Sequence, residues 1–263
     1  MRVLVAVKQV TEVADDFEIS GTSVEQQYLE YDLNEWDDYA IEEAVQLSES
    51  GIADEVVSVT IGPERTEETI RTGLAKGVDR AIRVWDDTLA EKDLPNVRTK
   101  ANILAAVVEQ EEPDLILTGV QANDDGFGAT GVALADEISS EWASVVTELN
   151  LDLEDEVARV HRELEGGIEE LLEVELPAVL TIQTGINEPR YASLRGIRQA
   201  SRKELVHQTL DDLGVESDTE DSLRLVSMNE PESESEAQYF DGSTEEQANE
   251  LAGVLEEKGV VGE

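Results

Sequence analysis

Short apolar runs rich in β-branched residues alternate along this chain with segments of helical period, and no other feature constrains the fold as strongly. Residues 3–7, 56–61, 81–84, 114–118, 143–149 and 176–182 read as strands. Between them, residues 37–47, 66–75, 97–108 and 129–138 repeat apolar side chains at helical spacing. Strands that are apolar along their whole length, joined by helical crossovers, predict a mostly parallel sheet with helices on both faces. Residues 150–175 change to an alternating pattern around Gly166-Gly167, which predicts an antiparallel extension of that sheet.

Composition enters where it narrows function. The 263 residues carry 62 acids against 19 bases, a net charge of -43. Such a surface repels nucleic acid and anionic membranes. Its self-repulsion is eased by salt, since the screening length falls from about 8 Å at physiological ionic strength to about 3 Å at 1 M. The expectation is a protein of a salt-rich cytoplasm. No cysteine is present, which removes disulfides, thiol nucleophiles and thiolate metal sites. His161 and His207 lack an accompanying nucleophile motif and read as surface residues. The chain enters a strand at Arg2 without a signal pattern, and no apolar run approaches the ~20 residues that span a bilayer. Cytoplasmic residence without membrane insertion is expected.

Gly119-Val-Gln-Ala-Asn-Asp-Asp-Gly-Phe-Gly-Ala-Thr-Gly131 leaves one strand and opens a helix. Free amides at such a helix start attract phosphate, and Thr130 adds a hydroxyl. Gly126, Gly128 and Gly131 fit the spacing of a dinucleotide fingerprint, with Glu148 at the distance of a ribose contact. Against that stand the residues between strand and first glycine, and Asp124 and Asp125, which would repel a pyrophosphate. A glycine-rich turn that only caps the helix is the plainer alternative.

A second segment concentrates basic charge. Arg190, Arg195, Arg198, Arg202 and Lys203 place five of the 19 bases within 14 positions. A helix end carrying cations that suit its dipole explains Arg202 and Lys203, but not Arg190 in the turn. From residue 204 to 263 the chain holds 18 acids against Arg224 and Lys258. Residues 216–221 and 229–236 read as solvated linkers, and 223–226 as a strand. A helix starting at Ser243 carries the stripe Ala248, Leu251, Ala252 and Leu255. The expected division is an α/β nucleotide-binding domain over 1–203, with a basic loop over 187–203, and an acidic C-terminal arm over 204–263.

Gly166-Gly167, Leu176-Pro177-Ala178-Val179, Asn187-Glu188-Pro189-Arg190-Tyr191-Ala192 and Leu194 together resemble the beta subunit of the electron transfer flavoproteins. So do Val3-Leu4-Val5-Ala6-Val7-Lys8, Ile61-Gly62-Pro63, Gly73-Leu74-Ala75-Lys76-Gly77, Gln121-Ala122, Asp124-Asp125 and Thr130-Gly131. The resemblance spans nearly the whole chain. It implies a Rossmann-like, adenine-nucleotide-binding fold in which an alpha subunit holds most of the FAD site and this subunit closes over the flavin. It also implies AMP contacts at Ala6, Asn34, Glu35, Trp36, Asp37 and Ile61, and along Gln121, Asp124, Asp125, Gly126, Phe127, Gly128, Ala129, Thr130 and Gly131. The family's Asn-Gln before the Thr is replaced here by Gly128-Ala129. Electron-bifurcating members place a second FAD where ordinary members hold AMP, and Thr130, commonly valine in that type, leans toward AMP. Dehydrogenase docking is implied for Arg190, Tyr191, Leu194, Arg195 and Arg198, with Leu194 as the anchor. The implied partners are the alpha subunit, embraced by the C-terminal arm, acyl-CoA or related dehydrogenases, and a quinone-reducing acceptor. The chain is thus expected to be half of an electron carrier and not a catalyst by itself, with a stand-alone nucleotide-binding module as the contrasting possibility.

Overall fold

The computed structural model describes residues 1–91, 94–216, 223–230 and 237–260. The chain opens with β1 (Arg2–Ala6), then an antiparallel ribbon of β2 (Gln9–Val13) and β5 (Leu29–Leu33) with a smaller pair, β3 (Ile19–Ser20) and β4 (Ser23–Val24), between them. It continues through α1 (Glu35–Glu49), β6 (Glu55–Ile61), α2 (Glu67–Lys76), β7 (Arg80–Val84), α3 (Asp87–Ala90), α4 (Val97–Glu111), β8 (Leu115–Gly119) and α5 (Thr130–Glu137). The extension follows as β9 (Glu141–Asp152), β10 (Val157–Leu164) and β11 (Ile168–Glu175), and β12 (Ala178–Ile182) returns to the sheet. The last elements of this unit are α6 (Leu194–Ala200), β13 (Leu205–Gln208) and α7 (Leu210–Leu213).

The main sheet runs β11-β10-β9-β12-β8-β1-β6-β7-β13. Every neighbouring pair from β9 to β13 is parallel, while β9, β10 and β11 pair antiparallel. Side chains alternate across it with period two. Val3, Val5, Val56, Leu115 and Leu180 pack with Ile41, Ala44, Ile70 and Leu74 of α1 and α2. On the other face, Leu4, Val57, Ile116 and Val179 pack with Ile103, Val107 and Leu134 of α4 and α5. Burial on both faces is why these strands are apolar throughout.

Topology sets where a ligand can sit. From β1 the chain builds outward to β6 and β7, and α4 then carries it back to β8 on the opposite side of β1. Helices leave opposite faces there and open a crevice at the carboxyl ends of β1 and β8, the switch point at which open α/β sheets bind ligands.

Two expectations need correction. Residues 205–213, expected in the arm, supply an edge strand beside β7 and a short helix whose Leu210 is buried. His207, read as a surface residue, is exposed in β13 just ahead of α7, with Nδ1 2.6 Å from Arg83 Nη2. Residues 223–226 form no strand, because Leu225 and Val226 are exposed and have no ladder to join. The linkers expected over 216–221 and 229–236 fall largely outside the described residues.

Asn229–Glu263 forms a second compact unit. Its helix α8 (Thr244–Glu257) begins with a capping box, Ser243 N donating to Glu246 Oε2 at 2.8 Å. None of its described residues is buried: Ala248, Leu251 and Ala252 of the apolar stripe are exposed and Leu255 is half-buried. Among the described residues no helix is long and apolar enough to cross a membrane.

Candidate functional site

At the switch point lies a cavity of about 630 Å³, lined by the ends of β1, β6 and β8 and the loop leading into α5. Its walls include Ala6, Lys8, Asn34, Asp37, Ile61, Thr66, Lys100, Gln121, Asp124, Asp125, Gly128, Ala129 and Thr130.

The first turn of α1 fastens the two strands that frame it. Asp37 Oδ2 accepts from Lys8 N at 2.7 Å and Oδ1 from Gly119 N at 2.9 Å. Gly119 is required there, since a Cβ would come within 2.5 Å of Asp37 Oδ1 and 2.6 Å of Trp36 Cβ. Burial pushes the Asp37 carboxyl up to about 7, opposed by these two amides and by Asn34. Asn34 holds the next stretch, donating to Gln121 O at 2.8 Å and accepting from Asn123 N at 3.3 Å.

Asp124 and Asp125 do not present bare charge to the cavity. Lys8 bonds Asp124 and lies 3.0 Å from Asp125 Oδ2, and Lys100 Nζ donates to the same oxygen at 2.9 Å. Burial acts to raise Asp125, but the Lys100 hydrogen bond and the charges of both lysines more than offset it and hold the carboxyl below its ordinary value. The repulsion expected from the sequence is therefore answered by two cations that lie far away along the chain. Sequence reasoning quoted Lys8 only as the end of the opening run and did not connect either lysine to Asp124 or Asp125, because neither is near them in the chain.

Side-chain capping differs among the helices that start beside the cavity. Side chains cap α3 (Asp86), α4 (Asn96), α6 (Ser193), α7 (Thr209) and α8 (Ser243). Of the helices that start beside the cavity α4 is thus capped, whereas α1, α2 and α5 have no side-chain cap. Acids in the first turns of α1 and α2 disfavour an anion there, whereas α5 carries none. Its N-cap is Ala129, which has no side-chain acceptor to offer, and Gly128 before it turns at φ +58°. What the arrangement offers is a set of amides open to an anionic ligand.

The other sequence-predicted contacts sit around this centre. Glu35, Trp36, Gly126, Phe127 and Gly131 are not on the lining. Trp36 Nε1 donates to Gln183 Oε1 at 2.8 Å, and the Phe127 ring lies under Lys100. Gly131 belongs to helix–sheet packing, because a Cβ would fall 2.5 Å from Thr118 Oγ1 and 2.7 Å from Thr181 Cγ2.

The basic segment lies away from the cavity, on α1 and α2. Tyr191, Leu194 and Ile197 are exposed at 97%, 77% and 53%, with Arg195 and Arg198 beside them also exposed. Arg190 is engaged within the chain: Nε and Nη2 donate to Glu42 at 2.8 and 2.9 Å, and Nη1 and Nη2 to Glu49 at 2.6 and 2.9 Å. Asn187 Nδ2 adds bonds to Tyr39 O at 3.1 Å and Glu43 Oε2 at 3.0 Å. Two members of the segment thus tie it to α1.

A mostly parallel sheet, helices on both faces and a ligand-sized cavity at the switch point define an α/β protein of the doubly wound type. A family model for the electron transfer flavoprotein domain matches residues 22–213. The chain is 42% identical over 264 residues to the electron transfer flavoprotein subunit beta of Methylophilus methylotrophus, covering 98% of each chain. It is 39% identical over 233 residues to the mitochondrial subunit beta of Arabidopsis thaliana, covering 88% of this chain and 90% of the relative. It is also 37% identical over 233 residues to subunit beta of Homo sapiens, covering 88% of this chain and 89% of the relative. The chain belongs to the electron transfer flavoprotein family, as a beta subunit.

Proposed function

We propose that this chain binds AMP in the switch-point cavity, helps enclose an FAD carried mainly by an alpha subunit, and relays electrons from acyl-CoA or related dehydrogenases toward a quinone-reducing acceptor. The observation that carries the nucleotide part is the bare start of α5. A phosphate there receives amide hydrogen bonds that no side chain contests, with Thr130 adding its hydroxyl. Lys8 and Lys100 neutralise the acids nearest that phosphate, and Ala6 and Ile61 offer apolar wall to the base. The flavin supplies the redox chemistry. This chain's share is to bind, exclude water and present a docking surface, in which Leu194 is the apolar anchor and Arg195 and Arg198 steer encounter. The apolar stripe of α8 is assigned to the alpha subunit, and the charge of -43 to a salt-rich cytoplasm.

Coexpression with the alpha subunit, denaturation of the purified complex and mass spectrometry of the released nucleotides tests this reading. One FAD and one AMP per heterodimer are expected. Two FAD and no AMP would replace it with the bifurcating alternative, and a chain that forms no flavin complex would overturn it.

A further inference from the structure

The short helix α6 is fastened to α2 by contacts that leave its apolar residues facing outward. At its first turn Gly196 meets the last turn of α2, and a Cβ at that position would stand 2.2 Å from Ala75 O. Arg71 of α2 donates from Nη1 to Ala200 O at 2.6 Å and Lys203 O at 3.1 Å, carbonyls at and just beyond the end of α6. Lys203 answers from the other side, donating from Nζ to Leu74 O at 3.0 Å, Val78 O at 2.5 Å and Gly77 O at 3.4 Å around the end of α2. Each helix therefore has its terminal carbonyls satisfied by a cation from the other segment. Burial lowers the pKa of Lys203, opposed by the charge of Asp79, and its ammonium is spent on carbonyls and not offered to solvent.

Seven residues are too few to hold a helix by propensity alone. Without this attachment Leu194 and Ile197 would sit on a segment that must order itself whenever a partner binds, and that ordering weakens binding. We infer that Arg71, Lys203 and Gly196 are positioning residues for dehydrogenase docking, acting by keeping α6 preformed on α2. The inference rests on the reading of residues 187–203 as the docking segment. It also separates the basic residues by role, since Lys203 holds the helix while Arg195 and Arg198 are free to meet a partner.

The test uses the complete heterodimer and its host's acyl-CoA dehydrogenase, with heterodimer concentration varied in steady state. Arg71→Met removes the carbonyl bonds without adding bulk, and Gly196→Ala forces the two helices apart. Each is expected to raise KM about tenfold with kcat within twofold of wild type, and Arg71→Lys to recover part of the loss. Amides over 194–203 should exchange faster in both variants, with flavin and nucleotide content unchanged. If Gly196→Ala does not assemble, Arg71→Met decides. Leu194→Ala tests the underlying reading separately: an unchanged KM there removes the docking assignment itself. If Leu194→Ala raises KM while Arg71→Met leaves it unchanged, or lowers kcat alone, the positioning role is overturned and docking stands.

Discussion

Arg190 provides a perturbation whose size follows from its surroundings. Its guanidinium bridges Glu42, whose side chain is 5% exposed, and Glu49, which is 60% exposed. Arg190→Ala strands the Glu42 carboxylate with Gln46 as its remaining side-chain donor, at 2.8 Å. Breaking a buried pair from one side costs about 3–5 kcal/mol. Arg190 is itself 30% exposed and the Glu49 contact is screened, so about 2 kcal/mol is the reasonable expectation. That loss corresponds to roughly 30-fold faster opening of the segment it ties to α1. Hydrogen exchange with mass spectrometry on the heterodimer reads this directly in peptides covering 184–200. In the Arg190→Ala background, Glu42→Gln removes the stranded charge and should restore at least half of the lost protection. Exchange unchanged by Arg190→Ala would refute the brace, and a double variant no better than the single one would refute the electrostatic cause.

Other consequences follow from the same geometry. Gly131→Val should destabilise the α/β unit by about 1–3 kcal/mol through collision with Thr118 and Thr181, seen as a lower unfolding midpoint even with saturating AMP; an unchanged midpoint would mean that α5 has room the structure does not show. Asp37 keeps its proton up to about 7 in the folded chain against an ordinary 3.8, so the folded state binds the extra proton between those values. Its contribution to stability is therefore greatest below about pH 4 and is lost as pH rises to about 7, on the order of 4 kcal/mol by linkage. The stability difference between wild type and Asp37→Asn should shrink across that window, and a flat difference would contradict the raised value. Since 62 acids face 19 bases, screening should relieve more repulsion than it costs in ion pairs. The thermal midpoint of the heterodimer should rise by roughly 5 °C or more between 0.15 M and 2 M KCl, and a fall would show that ion pairs dominate.

The parallel core was legible because doubly buried strands must be apolar along their length, and residues such as Val3, Leu4 and Val5 announce that directly. The loop into α5 was legible for a related reason, since a strand end, glycines and a helix start stand in succession. The ribbon of β2 and β5 was not. Glu12 and Glu30 pair across it with little burial, and the two strands are too far apart for a tight hairpin signal. Strand β13 is only four residues long and closes the sheet by pairing with β7, a contact that local pattern does not encode. At the cavity, the acids at 124 and 125 were visible, but the lysines that answer them come from β1's exit and from α4. The brace of Arg190 on Glu42 and Glu49 was not legible, because those acids reach it only after α1 folds beneath the loop.

Comparing AMP with adenosine isolates the phosphate, on which the assignment of the α5 start depends. Nucleotide-stripped heterodimer titrated calorimetrically with each ligand gives the two affinities. Charge-assisted hydrogen bonds contribute about 1.5–3 kcal/mol each, so a phosphate held by the amides of α5 and by Thr130 should make AMP bind at least ~30-fold tighter than adenosine. Equal affinities would contradict the account, because they would leave the uncapped helix without a ligand to explain it.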